Sequence, residues 1–170
     1  GGVQAGYLYA KENGYDIAVQ MDGHGQHDPA YLDRVIGAVA DGTYDMAIGS
    51  RFIEKEGFQT SFMRRFGINI ISTIILLLTG KRIKDTTSGF RACNRKLIEF
   101  FARNYADDYP EPEAIMACIV NGFSVGEVAV VMEERQGGVS SIRSLKSAYY
   151  MIKVCLALVV NRISFTGKKG

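Results

Sequence analysis

A short apolar segment followed at once by a cluster of turn formers constrains this chain more than any other feature. Residues 16–21 (DIAVQM) have the length and character of a buried strand, and they run into DGHGQHDP. Asp28 and Pro29 then form a helix-start signal, and apolar residues recur at helical spacing as far as Asp41. Residues 44–49 (YDMAIG) predict the next strand. This strand, loop, helix and strand order predicts an α/β fold with a parallel sheet.

The rest of the chain extends this pattern over a single domain. Helices are predicted over residues 2–13, 61–78, 96–103 and 144–162, with a further helix after the acidic segment DDYPEPE and a last strand over residues 123–133. Between them, KRIKDTTSGFRACNR is rich in turn formers and cations and is interpreted as a loop. A length of 170 residues suits one core. Residues 1–163 are therefore assigned to one domain and residues 164–170 to a basic tail.

Composition excludes several functional classes. Lys and Arg number 20 against 18 Asp and Glu, so the chain lacks the basic excess of a nucleic-acid-binding domain. Three cysteines lie far apart in apolar or helical sequence, which favours a reducing cytoplasm over disulfides or a zinc knuckle. No run reaches the roughly 18 uninterrupted apolar residues that cross a bilayer. Residues 68–79 and 149–160 are nevertheless apolar enough for buried helices or for helices in a membrane interface.

The loop after the first strand carries a candidate metal site. Asp22 and His24 in DGHGQ stand two residues apart among glycines, so both side chains can converge on one point at the carboxyl end of a strand. Such a pair suits a divalent cation. The alternative is a glycine-rich turn whose aspartate only caps the next helix, and the short motif alone leaves both interpretations open.

Several motifs in a fixed order give the chain a wider resemblance. DGHGQHDP, GSRF, DTTSGFRACNR and EVAVVMEERQGGVSS, spread over residues 1–163, resemble those of family 2 glycosyltransferases, in the branch of dolichyl- and undecaprenyl-phosphate mannose and glucose synthases. The resemblance implies a GT-A fold, a mostly parallel sheet flanked by helices, here without its first βαβ segment. Because that segment forms most of the nucleotide-base pocket in the family, the chain alone is expected not to turn over a donor.

By this resemblance, Asp22 and His24 occupy the positions of the family's metal-binding DxD pair. Gln26 matches a position that completes the metal or phosphate shell. The family usually has a second aspartate where this chain has His24, and an imidazole favours Mn²⁺ over Mg²⁺. We therefore expect Mn²⁺ or Mg²⁺ as cofactor and a catalytic role for Asp22. The alternative is that His24 is a degraded ligand in a weak enzyme.

Cationic and hydroxyl side chains farther along are candidates for binding phosphates. The resemblance supports this role most for Arg51 in GSRF, and it also implies it for Ser88 and Arg91 in DTTSGFR and for Arg135 and Ser140 in ERQGGVSS. Arg64 and Arg65, at the start of the apolar helix, are candidates because planar guanidinium groups match phosphate oxygens in pairs. Arg64 and Arg65 could equally form a solvated helix face. Arg91 could pair with a surface carboxylate, and the glycines of ERQGGVSS could be a plain hinge.

Carboxylates in two segments are candidates for catalysis on the acceptor side. Asp85 in DTTSGFR either belongs to the acceptor loop or caps a turn. Glu113 in PEPE matches the family's acidic acceptor-side residue and could be a general base towards a sugar hydroxyl, although a polyprenyl phosphate is already an anionic nucleophile. Glu111 and Glu113 could instead stabilise a helix N-terminus. Glu127 is interpreted as a residue that orients its neighbours.

Together these inferences predict a metal-dependent, inverting transfer of a hexose from a nucleotide sugar to a polyprenyl phosphate or a related cell-envelope acceptor. The alternatives are transfer to a polysaccharide hydroxyl and a non-catalytic relative that binds a membrane or a partner. Cations beside the last apolar helix favour contact with an anionic lipid surface, so we expect a cytoplasmic protein at the inner face of the cell membrane. An unpaired sheet edge also predicts that the chain associates with itself or with another chain.

Overall fold

The computed structural model of the protein describes residues 1–23, 25–57, 60–105, 110–133 and 144–166. Its elements follow in the order α1 (Gly2–Glu12), β1 (Ile17–Gln20), a 3₁₀ turn (Pro29–Tyr31), α2 (Leu32–Ala40), β2 (Met46–Ser50), α3 (Phe62–Thr79), β3 (Arg91–Asn94), α4 (Arg95–Phe101), α5 (Pro110–Val120), β4 (Val125–Ala129) and α6 (Ser144–Thr166). Each predicted helix and strand is present. One strand, β3, lies inside the segment that the sequence indicates to be a loop.

Local signals in the sequence account for several helix ends. The Asp28 carboxylate accepts a hydrogen bond from Ala30 N at 2.9 Å, which confirms the predicted cap before the 3₁₀ turn. Ser61 caps α3, and Gly80 ends it in the left-handed conformation that glycine readily adopts, with a φ of 73°. Among the described residues, helix α5 starts at Pro110, inside the acidic segment, and proline fits the first turn of a helix.

The four strands form a mixed sheet in the order β1, β3, β2, β4. Strands β2 and β4 pair in parallel, whereas β3 is antiparallel to both β1 and β2. The α/β class is confirmed, but the prediction of a mostly parallel sheet is wrong. The reason is that β3, four residues without a β-branched side chain, inserts between two strands that point the same way, and such a segment gives little strand signal of its own.

The strand directions define two edges of the sheet. At the first, which we call the site edge, the carboxyl ends of β1, β2 and β4 lie beside the start of β3. At the second, which we call the base edge, the starts of those strands lie beside the end of β3. In the register, Gln20 pairs with Arg91, and Arg91 pairs with Ile48. The segments that follow β1 and β2 therefore lie next to the segment that precedes β3.

Helices cover both faces of this sheet. One core combines buried side chains of α1, α3, α4, α5 and α6 with Met46 and Ile48 of β2. A smaller core lies on the other face, where Val35 and Val39 of α2 pack over Ala47. Successive side chains of β2 thus point to opposite faces of the sheet, one covered by several helices and the other by α2.

Helices α3 and α6 contact each other and carry apolar side chains that the described chain leaves exposed. These are Phe62, Met63, Phe66 and Leu77 of α3, and Ile152, Leu156, Val159, Val160 and Ile163 of α6. By length and composition alone, α3 is the one helix among the described residues that could cross a membrane, and 28% of it is buried in the protein. The uninterrupted apolar run in the sequence is shorter, because two arginines lie in the first turn of this helix.

Candidate functional site

Asp22 lies at the site edge, just after β1, with its side chain exposed. A Cβ atom placed on Gly89 would lie 2.5 Å from Asp22 Oδ1 and 2.6 Å from Oδ2. Any residue other than glycine would therefore push this carboxylate away. The segment DTTSGFR thus leaves the space in which the Asp22 carboxylate sits.

The side chain of His27 binds back to the start of the loop that begins at Asp22. Asp22 N donates a hydrogen bond to His27 Nδ1 at 3.2 Å. The His27 side chain is buried and stacks on Phe90, with ring centroids 5.2 Å apart and planes at 22°. Burial lowers the pKa of His27, although the Asp22 carboxylate opposes this shift, so the ring is favoured in the neutral form that can accept a hydrogen bond.

The described part of this loop offers oxygen ligands to a cation. The Asp22 carboxylate is exposed, and Gln26 is half-buried, with its carbonyl accepting from Glu133 N at 3.0 Å. Among the described residues, no three His, Cys, Asp or Glu side chains come together as a metal-binding group, and His24 lies outside them. The fit to a divalent cation therefore rests on the exposed Asp22 carboxylate, for which Gly89 leaves room. The pairing with His24 stays a prediction.

Arg51 and Asp85 form a buried ion pair at the same edge. Arg51 Nε donates to Asp85 Oδ2 at 2.7 Å, and Nη2 donates to Oδ1 at 3.2 Å. Their side chains are 4% and 0% exposed. This bidentate geometry is typical of strong arginine–carboxylate pairs. The guanidinium of Arg51 is therefore engaged with Asp85 rather than extended towards solvent, where a diphosphate was expected to meet it.

Glu127 holds the segment that carries Asp85. Its Oε1 accepts from Asp85 N at 2.8 Å, and its Oε2 accepts from Lys84 N at 2.9 Å. One carboxylate thus binds two successive backbone amides, and the prediction that Glu127 orients its neighbours is confirmed.

Ser88 and Arg91 are buried and hold the same loop in shape. Ser88 Oγ donates to Gly49 O at 2.7 Å. Arg91 Nε donates to Ser88 O at 2.8 Å, and its Nη1 donates to Glu111 O at 2.9 Å. These contacts are with backbone carbonyls, so Arg91 links the loop to the start of α5 instead of pairing with a surface carboxylate.

Three buried polar atoms in this region have no hydrogen-bond partner among the described residues: Arg65 Nη1, Thr86 Oγ1 and Thr87 Oγ1. The Arg65 guanidinium lies over Phe52, 3.5 Å from the ring centroid. Burial lowers the pKa of Arg65, and the Asp85 carboxylate opposes the shift, so the guanidinium lies within electrostatic reach of the ion pair. Buried donors without partners cost stability, and a bound water, ion or ligand can supply the missing partner.

The remaining predicted residues are not joined to this cluster by any contact described above. Arg64 is exposed in the first turn of α3, and Glu113 is half-buried in the first turn of α5. Arg135 and Ser140 lie outside the described residues.

Sequence reasoning passed over the residues that fix the position of Asp22. Gly89 did carry a signal, since a glycine between polar residues and an aromatic residue is typical of a close backbone approach. His27 carried none, because its contact with the Asp22 amide depends on how the loop closes and not on any spacing rule.

An α/β sheet that gathers carboxylates and guanidinium groups at the carboxyl ends of its strands is typical of enzymes that bind phosphorylated ligands. The chain is 33% identical over 154 residues to the polyprenol monophosphomannose synthase of Mycolicibacterium smegmatis, covering 88% of this chain and 58% of that protein. It is 29% identical over 133 residues to the UDP-N-acetylglucosamine–dolichyl-phosphate N-acetylglucosaminyltransferase of Methanococcus voltae, covering 76% and 53%. It is 34% identical over 89 residues to the undecaprenyl-phosphate mannosyltransferase of Micrococcus luteus, covering 52% and 36%. No family model matches the chain.

These similarities confirm the resemblance drawn from the motifs. The chain is a homologue of polyprenyl- and dolichyl-phosphate glycosyltransferases. It spans little more than half the length of the first two of these relatives.

Proposed function

We propose that this chain forms part of a metal-dependent glycosyltransferase with a GT-A fold, which moves a hexose from a nucleotide sugar to a polyprenyl phosphate. The proposal is carried by the site edge, where the exposed Asp22 carboxylate lies at the same edge as the buried Arg51–Asp85 pair and as buried donors of Arg65 and Thr86 that have no partner among the described residues. Acidic and cationic groups in one place suit a reaction between a metal-bound diphosphate and an anionic acceptor. The similarity to lipid-phosphate glycosyltransferases supports the same conclusion.

The donor diphosphate is proposed to bind at the loop that begins with Asp22. Asp22 and His24 would hold Mn²⁺ or Mg²⁺, and Gln26 would complete the shell. When bound, the cation supplies charge neutralisation for the leaving diphosphate. The protein contributes the space above Gly89 and the backbone contacts that hold the loop.

The acceptor phosphate is proposed to bind Arg65. This guanidinium has a buried nitrogen without a partner among the described residues and lies over Phe52, 3.5 Å from the ring centroid. Its planar set of donors matches phosphate oxygens. Thr86 and Thr87 add hydroxyl groups from the neighbouring loop. Arg51, in contrast, is assigned the role of fixing Asp85, because that carboxylate engages its Nε and Nη2.

Attack by an acceptor oxygen on the side opposite the leaving diphosphate would invert the anomeric carbon. A phosphate oxygen is anionic at neutral pH and needs no general base, whereas a sugar hydroxyl needs one. Glu113 is the candidate for that base, and Arg91 links its helix to the acceptor loop through Glu111 O. Transfer to a polysaccharide hydroxyl is therefore the second candidate function.

The exposed apolar side chains of α3 and α6 are proposed to lie against the inner face of the membrane. Neither residues 62–84 nor α6 contain Asp or Glu, and they carry several cations: Arg64, Arg65, Lys81, Arg82, Lys84, Lys146, Lys153 and Arg162. An apolar helical surface whose charges are all positive favours anionic lipid. This placement would bring Arg65, in the first turn of α3, close to lipid headgroups.

Sugar transfer to polyprenyl phosphate tests the proposed function. The protein, expressed from its full coding sequence, is supplied with radiolabelled nucleotide hexoses, Mn²⁺ and polyprenyl phosphate, and label in the lipid extract is counted. We expect labelled lipid with at least one donor and none with Asp22→Ala. Label that enters a polysaccharide acceptor but never the lipid would contradict the proposal and support the second function.

A matched pair of arginines tests the acceptor assignment. Arg65→Gln is expected to lower kcat/KM for polyprenyl phosphate by about tenfold to a hundredfold, the loss of a hydrogen bond between charged groups. Arg64→Gln, at the exposed neighbouring position, should change it by less than about threefold, as is usual for a rim charge. Equal effects of the two substitutions would remove Arg65 from the acceptor site.

A further inference from the structure

His27 is buried beside the site edge and belongs to none of the groups assigned above to substrate or metal. Its side chain is 8% exposed, and its Nδ1 accepts from Asp22 N at 3.2 Å. A ring nitrogen that accepts a hydrogen bond carries no proton, so the ring proton of a neutral His27 is on Nε2. Nδ1 of His27 therefore binds the backbone amide of Asp22, the predicted metal ligand.

We propose that His27 is a positioning residue, which holds the Asp22 amide through Nδ1 so that the Asp22 carboxylate stays in the space above Gly89. This inference rests on the proposed function, because it gives the Asp22 carboxylate a cation to bind.

Two consecutive residues support both parts of this arrangement. Phe90 stacks on the His27 ring, with centroids 5.2 Å apart. Gly89 leaves the space for the carboxylate, since a Cβ atom there would lie 2.5 Å from Asp22 Oδ1. Because Gly89 and Phe90 directly precede β3, a single piece of the sheet positions the ring and the carboxylate relative to each other.

The other end of the loop is anchored separately. Glu133 N donates to Gln26 O at 3.0 Å, and His27 pairs with Met132 in an isolated β-bridge. The segment after β4 thus holds the end of the loop, and His27 Nδ1 holds its start. Without that acceptor, the Asp22 amide loses its partner and the carboxylate is no longer held over Gly89. Partners of metal ligands commonly change metal affinity by about tenfold to a hundredfold in this way.

Two substitutions separate the acceptor from the ring. His27→Phe keeps an aromatic ring on Phe90 and removes the acceptor, whereas His27→Asn removes the ring and offers an acceptor oxygen at the position of Nδ1. We expect His27→Phe to weaken Mn²⁺ binding at least about tenfold with little change in Tm. His27→Asn should keep Mn²⁺ affinity within about threefold of the wild type, although its Tm falls with the loss of the ring stack.

Hydrogen exchange of the Asp22 amide gives a readout that needs no metal. Exchange should be faster in His27→Phe than in the wild type and restored in His27→Asn. Unchanged exchange in His27→Phe, or a loss of Mn²⁺ affinity in both variants that follows Tm, would overturn the proposal. If the metal does not bind at Asp22, Mn²⁺ affinity will be equal in the wild type and in Asp22→Ala. In that case hydrogen exchange of the Asp22 amide, which needs no metal, still tests the role of His27.

Discussion

The site edge and the base edge of the sheet differ in how fully their polar groups are satisfied. At the base edge, the Asp45 carboxylate accepts from Asn94 Nδ2 at 2.6 Å, from Ser124 N at 2.8 Å and from Ser124 Oγ at 3.0 Å. Near the site edge, buried polar atoms of Arg65 and two threonines have no partner among the described residues. All four strands contribute to each edge, but the buried polar atoms that lack a partner among the described residues lie near the site edge.

Under the proposed function, this difference is the one expected between a structural cluster and a binding site. Asp45 ties the start of β2 to the end of β3 and the start of β4, and each of these contacts stabilises the fold. Unpartnered buried donors do the reverse, because they give up hydrogen bonds to water and gain none in the protein. A bound ligand is one way to supply the missing partner, and for this reason we propose that the acceptor phosphate binds Arg65.

The largest expected effect is on stability, from breaking the buried pair at the site edge. Asp85→Ala leaves the Arg51 guanidinium buried without its carboxylate, which costs about 3–5 kcal/mol of unfolding free energy. Glu99→Ala is the matched control, since the Arg95–Glu99 pair at 3.1 Å is exposed and is worth less than about 0.5 kcal/mol. Urea denaturation measures both. Similar losses for the two variants would show that the pair at the site edge is not distinctive.

The next effect concerns metal affinity and leaves stability nearly unchanged. In Gly89→Ala the added methyl group meets the end of the Asp22 side chain, which can move away at little cost to the fold but loses its position. We expect Mn²⁺ affinity to fall about tenfold, or about 1.4 kcal/mol. Gly37→Ala, in α2 and outside the loop of Asp22, is the control, because a Cβ atom there has no neighbour within 4 Å. Calorimetric titration with equal affinities for both variants would contradict the position given to the Asp22 carboxylate.

The smallest effect is at the base edge and depends on pH. Burial raises the pKa of Asp45, but hydrogen bonds from Ser124 and Asn94 outweigh it, so the net pKa lies below the usual 3.8. The contribution of the Asp45 carboxylate to the free energy of unfolding is therefore complete above its pKa in the unfolded state. It is lost as the pH falls through its pKa in the folded state. Asp45→Asn should cost about 1 kcal/mol at neutral pH, and the difference from wild type should shrink on acidification.

Asp41→Asn is the control for this pH dependence. The Asp41 carboxylate is fully exposed and accepts a local hydrogen bond from Thr43 N at 2.8 Å, so its removal should have a smaller effect. Denaturation midpoints measured from neutral to acid pH test this. A difference between Asp45→Asn and wild type that grows on acidification would reverse the predicted sign.

The sequence predicts those parts of the molecule that depend on local signals. Periodic apolar residues and the cap at Asp28 placed the helices, and short apolar segments placed three of the strands. Strand β3 was not predicted, because it is held as a strand by its pairing with β1 on one side and β2 on the other. The motifs predicted that Asp22, Arg51 and Asp85 share a site, but not that Arg51 is engaged with Asp85, since that contact follows from the packing of two loops and not from either loop alone.

Paramagnetic relaxation by Mn²⁺ tests the contrast between the two edges most directly. Amide NMR signals are recorded as Mn²⁺ is added to the wild type and to Asp22→Ala. We predict that the signals of Asp22, Gly89 and Arg51 broaden first, that those of Asp45, Asn94 and Ser124 stay sharp, and that Asp22→Ala abolishes the selective broadening. Broadening centred on the base edge, or broadening at the site edge that persists in Asp22→Ala, would contradict the assignment of this edge as the metal and substrate site.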